Sequence, residues 1–493
     1  MLVIAENPPQ LFLTEKKCMT TLNHKSLLLA ILATLPALQS ATAQGTNDRP
    51  NIILIMCDDL GYGDLQCYNS KSIIQTPHLN QMASEGTRFT RFYAAAPVCS
   101  PTRGSCLTGR HPFRYGIYFA NTGHLPQEEI TIPELLKPLN YLSGHFGKWH
   151  LGTLTKTVND ANRGGVRGAK HFSTPAMHGF DESFVTESKV PTYDPMRAPL
   201  SANKNGWAPL DDKTESKFYG TRFWNHHLEE VTENLSGDTS KIVMDRVLPF
   251  IDQSIQAQKP FFTTIWFHAP HLPVVADAQN TNPYKEFSTY DRNYYGCITA
   301  MDQQIGRLRS YLQDHGIEDN TILWFCSDNG PEGSHGKAPG SAGGLRGRKR
   351  SLYEGGVRVP GILVWPNQAP NIVLDAPAVT SDILPSILDL LQLDYPDERP
   401  LDGISLLPIL SQEVTLRDQP IGFQSAKQIA WHENDFKIYS SNQGKSWELY
   451  NLANDPSESH DLSDREPERL KSMVSKAKKW VESCSESDRG MDY

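Results

Sequence analysis

Short apolar runs recur along the chain, and each gives way abruptly to polar residues. Asn51–Met56 runs into Cys57-Asp58-Asp59, Phe261–Phe267 into His268-Ala269-Pro270-His271, and Thr321–Cys326 into Ser327-Asp328-Asn329-Gly330. Runs of this length without alternation predict strands buried on both faces. Between them, helical patterns cover Pro77–Glu85, Asp238–Gln258 and Tyr294–His315. Strand and helix in alternation predict an α/β fold: a large mixed, mostly parallel sheet flanked by helices on both faces. Such sheets bind ligands beyond the carboxyl ends of their strands. Those ends here carry acids, an amide and histidines, which points to one shared site.

Two regions break the pattern. Residues Thr155–Trp224 are rich in Gly, Pro, Asn and charge with weak periodicity, and predict long loops that shape substrate access. From about Glu413, short strands at Gln428–Trp431, Phe436–Ser440 and Trp447–Asn451 and an amphipathic helix over Pro467–Cys484 predict a small α+β subdomain with a short antiparallel sheet. The expected division is a main domain over 44–412 and a C-terminal subdomain over 413–493. Ahead of both, His24-Lys25, the apolar run Leu27–Leu38 and Ala41-Thr42-Ala43 read as a signal peptide ending at residue 43. Met19 is the better start, which makes 1–18 an extension upstream of the signal. The apolar run is too short for a comfortable membrane span, and no Cys stands at the cut. A secreted or periplasmic protein without a stable membrane anchor is expected.

A chain of 493 residues with 39% hydrophobic and 21% charged residues suits a globular enzyme with one large domain. Its formal net charge of −9 argues against a nucleic-acid partner and means that an anionic substrate needs a local cationic pocket. Eight cysteines are present, and Cys18 leaves with the signal. No spacing argues for a disulfide framework, and Cys57 and Cys326, each closing an apolar run, read as buried thiols.

The most informative segment is Cys99-Ser-Pro-Thr-Arg-Gly-Ser-Cys-Leu-Thr-Gly-Arg110. By itself, a Cys ahead of a Ser-Pro helix start could be a thiol of lowered pKa or a plain capping segment. Asp58-Asp59 and Asp328-Asn329, singly, could be a helix start and a turn. Together they supply three carboxylates and an amide, an oxygen set suited to a hard cation, Ca²⁺ ahead of Mg²⁺ because it accepts looser geometry. Lys148-Trp-His150 follows the strand-like Tyr141–Phe146 between two glycines, and Leu345-Arg-Gly-Arg-Lys-Arg350 places four cations in five positions.

The dodecapeptide resembles the signature of the type I sulfatases, the formylglycine-dependent, arylsulfatase-like branch of the alkaline phosphatase superfamily. The resemblance extends from the first strand to Trp447-Glu-Leu-Tyr-Asn-Leu-Ala-Asn-Asp-Pro456 in the tail. It implies that Cys99 is oxidised by a formylglycine-generating maturation enzyme to 3-oxoalanine (formylglycine). It further implies Asp58, Asp59, Asp328, Asn329 and converted Cys99 as metal ligands, and Arg103 as a holder of the modified residue. Lys148, His271 and Lys349 would bind sulfate. His271 would act as general acid, with His268 the second candidate, and His150 would take a proton when sulfate is expelled. Arg350 and Ser351 stand where the family more often has small residues. The implied substrate is a sulfate ester, most naturally of an extracellular polysaccharide or oligosaccharide. A formylglycine-dependent phosphonate or phosphate ester hydrolase is the rival enzyme. A non-catalytic, secreted glycan-binding protein on the same scaffold is the rival from another class.

Overall fold

The computed structural model describes residues 49–493. The expected signal peptide, its cleavage site and Cys18 lie outside the described residues. The parallel core is built on β1 (Asn51–Cys57), which pairs in parallel with Thr321–Ser327 on one side and Phe261–Trp266 on the other. Beyond Phe261–Trp266 lie β3 (Leu142–Lys148) and β4 (Glu182–Thr186), also parallel. Antiparallel pairings extend the sheet on both sides: Arg358–Val364 with β2 (Thr87–Tyr93) on one, beyond which Val373–Leu374 and Ala378–Val379 pair in parallel with β2, and Phe223–Asn225 with Glu230–Val231 on the other. Eleven strands form this sheet.

Each residue of β1 is buried, and its side chains alternate between two cores. Ile53 and Ile55 join a cluster with the helices Thr239–Gln256 and Thr289–Asp314, whereas Ile52, Leu54 and Met56 join the opposite cluster with α1 (Cys99–Thr108) and Ile383–Leu390. Two apolar faces explain why the strand reads as an unbroken run. Asp238 caps the first of these helices by accepting from Lys241 N. The second begins at Thr289, ahead of the expected Tyr294, because Ser288 caps it through Asp291 N over a polar turn that hides the start.

Residues 155–224 depart from the loop expectation. They contain β4, the antiparallel pair Arg197–Pro199 and Ser216–Phe218, and the start of Phe223–Asn225, which pairs with β4. The sequence of β4, ESFVT, is polar at its ends and shows neither an apolar run nor clean alternation. The C-terminal sheet is antiparallel throughout, in the order Ile421–Ser425, Gln428–Glu433, Phe436–Ser440, Glu448–Asn451. The helix Pro467–Asp488 packs on it through Met473 and Ala477 against Trp431, Ile438 and Leu449. Buried polar contacts fasten this part to the main sheet: Lys437 Nζ donates to Glu354 Oε1 at 2.9 Å, and Arg114 and Trp480 both donate to Asp402. Cys57, Cys67, Cys99, Cys106, Cys297, Cys326 and Cys484 are free thiols, with Cys57 and Cys326 buried.

Candidate active site

Four strand ends deliver the chemistry. β1 ends in Asp58 and Asp59; Thr321–Ser327, its parallel neighbour, ends in Asp328 and Asn329. Backbone bonds stitch the ends together, with Asp328 N donating to Cys57 O and Asp58 N to Ala269 O, both at 3.1 Å. Asp59 is left-handed (φ 70°), and its N–H donates to Asp328 Oδ1. His150, Asn121 and Arg350, all lining the same cleft, are left-handed too. Strained non-glycine residues gathered at one place mark a site whose surroundings over-determine it.

Glycines permit two close approaches. At Gly147 (φ +108°) a Cβ would lie 2.1 Å from Trp266 O, so only glycine lets β3 deliver Lys148 against the neighbouring strand. At Gly330 a Cβ would meet Gly355 O at 2.0 Å, which locks the Asp328-Asn329 turn to the segment carrying Lys349.

Cys99 opens α1, a helix buried along its whole length. Its sulfur and one side-chain atom each of Asp58, Asp59 and His271 lie within 4.8 Å of one another. Lys148 Nζ donates to Asp58 Oδ2 at 2.6 Å, and Lys349 Nζ pairs with Asp59 Oδ1 at 2.6 Å. Arg103 lies beneath, fully buried, donating to Asp328 Oδ2 at 2.6 Å and stacking its guanidinium over Trp266. With His150 in the same cleft, the ten residues that the resemblance placed first in the site therefore converge. Asp328 stands apart from the four-residue cluster, since Arg103 and Asp59 N occupy its two oxygens. Asn329 donates from Nδ2 to Asp59 Oδ1 at 2.7 Å, which leaves its Oδ1 buried without a hydrogen-bond partner, as is Asp58 Oδ1.

Burial opposes ionisation of Asp58, but Lys148, His271, Arg103 and Lys349 overcome it and hold the carboxyl well below its ordinary range. Burial, then repulsion from Asp58, push the Asp328 carboxyl above its ordinary range against the pull of Arg103. Burial also raises the Cys99 thiol, and the two lysines do not reverse this. An unmodified Cys99 is thus a protonated thiol, not the low-pKa nucleophile that a helix start could suggest. His271 is lowered to about 4, by burial first and by Lys349 and Lys148, with Asp58 and Asp59 opposing. His150 is lowered well below its usual value, by burial and then by Lys148.

The histidines have distinct places. His268 is buried and bonds Thr186 Oγ1 through Nε2, while His271 lines the cleft. His271 Nδ1 donates to Leu272 O at 2.7 Å, so Nε2 faces Asp59, 3.7 Å from Oδ2. Asn121 Oδ1 accepts from Asn162 Nδ2 and therefore also from His150 Nε2, at 2.9 Å. That fixes the His150 tautomer and leaves Nδ1 as a buried acceptor without a hydrogen-bond partner. No local pattern signals Asn121, which lies in no motif and acts only through a contact across the fold. Tyr290 and Glu332 were equally silent. Both line the cleft, and Glu332 binds Arg350 with both oxygens, at 2.7 and 2.8 Å. Above these groups opens a cavity of about 530 Å³.

The Sulfatase family model matches residues 50–393, covering nearly the whole parallel sheet. The chain belongs to the sulfatase family. It is a type I sulfatase of the alkaline phosphatase superfamily, and hence a sulfuric ester hydrolase. A second model, for the C-terminal part of N-sulphoglucosamine sulphohydrolase, matches residues 347–486 of this sulfatase. It is 33% identical to the N-acetylgalactosamine-6-sulfatase of Rattus norvegicus, over 88% of this chain and 78% of the rat protein. Arylsulfatase G of the same species is 32% identical, over 73% of this chain and 69% of its own. Among solved structures, the sulfatase resembles Ps i-CgsB in complex with k-i-k-neocarrahexaose. The TM-score is 0.74 and the identity 28%, covering 88% of this chain and 93% of that one.

Proposed function

We propose that this sulfatase is exported and removes sulfate from a sulfated carbohydrate, using formylglycine made from Cys99 and one bound Ca²⁺. The observation that carries the reading is the placement of Cys99 on the cleft floor, within 4.8 Å of Asp58, Asp59 and His271 atoms and between two carboxylate-paired lysines. The donor set fits the ion: Asp58 Oδ1 and Asn329 Oδ1 are buried oxygens without hydrogen-bond partners, next to Asp59 and Asp328. Oxygen-only ligation favours a hard cation. Asp58, Asp59, Asp328, Asn329 and converted Cys99 would hold it, and its charge would favour the anionic form of an oxygen nucleophile. The formylglycine hydrate would supply that nucleophile for attack on sulfur.

The chain's own residues do the remainder. Lys148 Nζ and Lys349 Nζ bind sulfuryl oxygens and neutralise the charge that grows on them in the transition state. Arg103 holds Asp328 and Asp58 in place from below. His271 has its Nδ1 proton fixed on Leu272 O, so it protonates the leaving alcohol from Nε2 only after taking up a proton there as the imidazolium. His150 accepts a proton at Nδ1 when sulfate departs, because Asn121 holds the other nitrogen. Asn121, Asn162, Ser188 and Asn205 line the cavity with neutral polar groups suited to sugar hydroxyls. The relatives' names support a carbohydrate: one acts on N-acetylgalactosamine-6-sulfate, another was solved with a neocarrahexaose.

Mass spectrometry of the Cys99 peptide, from protein matured in its native host, tests the proposal together with sulfate release from aryl and sugar sulfates. An aldehyde in place of the thiol, with sulfate released, is expected. An unmodified thiol and no hydrolysis would leave a binding protein instead. Hydrolysis of phosphonate esters ahead of sulfate esters would move the reaction to the rival class.

A further inference from the structure

The cations of the cleft fall into two groups. Lys148, Lys349 and Arg350 each face a carboxylate, of Asp58, Asp59 and Glu332 respectively. Lys189, Lys204 and Lys337 line the same cavity, and none of the three ammonium groups has a hydrogen-bond or ion-pair partner among the described residues. Lys189 is the informative one, because it is half-buried, and a half-buried ammonium without a counter-charge is costly.

Its position is fixed. Directly after β4, the chain is stitched to the His150 segment, with Trp149 N donating to Thr186 O and His150 N to Glu187 O, at 2.9 and 3.0 Å. Thr221 Oγ1 donates to Lys189 O at 3.0 Å. The acid nearest in sequence is occupied: Glu187 accepts from Arg163 and Thr153. Lys204 is exposed, but its segment is also pinned beside the catalytic histidine, since Val274 N donates to Asn205 O at 3.0 Å and Gly206 bridges to Val274. Burial, then Lys148 and Lys349, lower the Lys189 ammonium, with Asp58 and Asp59 too weak to compensate. A ligand anion would remove that cost.

We propose that Lys189, supported by the field of Lys204 and Lys337, binds a second anionic group of the substrate, distinct from the sulfate being removed. The substrate is then an oligosaccharide carrying a further carboxylate or a further sulfate near the scissile ester, not an isolated monosulfated sugar. The inference rests on the sulfatase reading for the identity of the first anion. One sulfate occupies Lys148 and Lys349, and the second charge meets the ammonium groups left without partners. The overall net charge of −9 gives such a polyanion no general attraction, so this local surplus has to supply it.

The test is calorimetric binding to the full-length Cys99→Ala protein, which holds ligand without turnover. The probes are three matched disaccharides: monosulfated with a neutral neighbour, the same with a uronic acid neighbour, and the same with a second sulfate on the neighbour. At least one dianionic probe is expected to bind about tenfold or more tightly than the monoanionic one, the range for a hydrogen bond to a charged group. In Lys189→Met the advantage should shrink to about twofold, and Lys189→Arg should restore most of it. The probe that benefits identifies the group as carboxylate or sulfate. Equal binding of all three probes, or an advantage that survives both Lys189→Met and Lys204→Met, overturns the proposal. Whether wild-type protein releases sulfate from these probes is read separately, so failure of the sulfatase reading is not confused with failure of this one.

Discussion

The floor of the cleft and its lysine-lined rim are built on opposite terms. On the floor, Asp58, Asp59, Arg103, Lys148, Asp328 and Asn329 sit at strand ends or under them, and each is under a tenth exposed. Cations and anions there compensate one another, so the geometry is rigid and the charge is spent before substrate arrives. On the rim, Lys189 and Lys204 come from the 155–224 excursion, are partly or fully exposed, and keep their charge unspent. A buried, compensated array is suited to a fixed reaction, because its dipoles need no rearrangement. A looser, uncompensated rim is suited to selecting what is attached to the reacting group.

The largest effects should fall on the floor. Cys99→Ala is expected to reduce sulfate release to background, measured against a mock-purified control, and appreciable turnover in that variant would break the floor assignment. Lys349→Ala and Lys148→Ala should each lower kcat by about 10²–10³-fold, the range for loss of one transition-state charge contact. Each also leaves a buried aspartate without its cation, so folding must be checked alongside by circular dichroism. Chelation should abolish activity and lower the thermal midpoint, with Ca²⁺ restoring both, as expected for an ion that binds only the folded chain. Gly147→Ala forces a Cβ against Trp266 O and should cost about 2–4 kcal/mol of stability by urea titration. Wild-type stability in that variant would show that the strands tolerate the approach.

A smaller effect tests the clasp between the main sheet and the C-terminal helix. Burial would raise the Asp402 carboxyl, but Arg114 reverses this, with His111 and Trp480 adding to it, and holds it at about 2. A carboxylate depressed in the folded state contributes stability that is complete above its unfolded value, about 3.9, and is lost as pH falls through the folded value. The wild type should therefore lose about 2 kcal/mol from this group between pH 4 and pH 2, a loss absent in Asp402→Asn. On the rim, Lys337→Ala should change hydrolysis of a small aryl sulfate by less than about twofold, since an exposed, unpaired charge adds little to a substrate that does not reach it. A loss as large as for the floor lysines would erase the contrast between the two regions.

The parallel core was legible because strands buried on both faces must be apolar at each position, and β1, Phe261–Trp266 and Thr321–Ser327 advertise this directly. The motif residues were legible because sulfatase chemistry constrains residue types over short, contiguous stretches, as in Cys99–Arg110 and Gly147–Gly152. β4 escaped because only pairing with β3 gives ESFVT its extended form. Sequence alone thus determined the sheet's parallel centre, the family and the chemical inventory of the floor, all of which rest on local pattern. It takes the folded chain to show that His271 and not His268 opens onto the cleft, that Asn121 sets the tautomer of His150, and that Lys189 is left without a carboxylate. Each of these depends on which partner lies across the fold, at separations of 29 residues for Asn121 and His150 and 82 for Thr186 and His268. No local spacing encodes contacts of that kind, because they are fixed by the packing of strands that meet only once the sheet has formed.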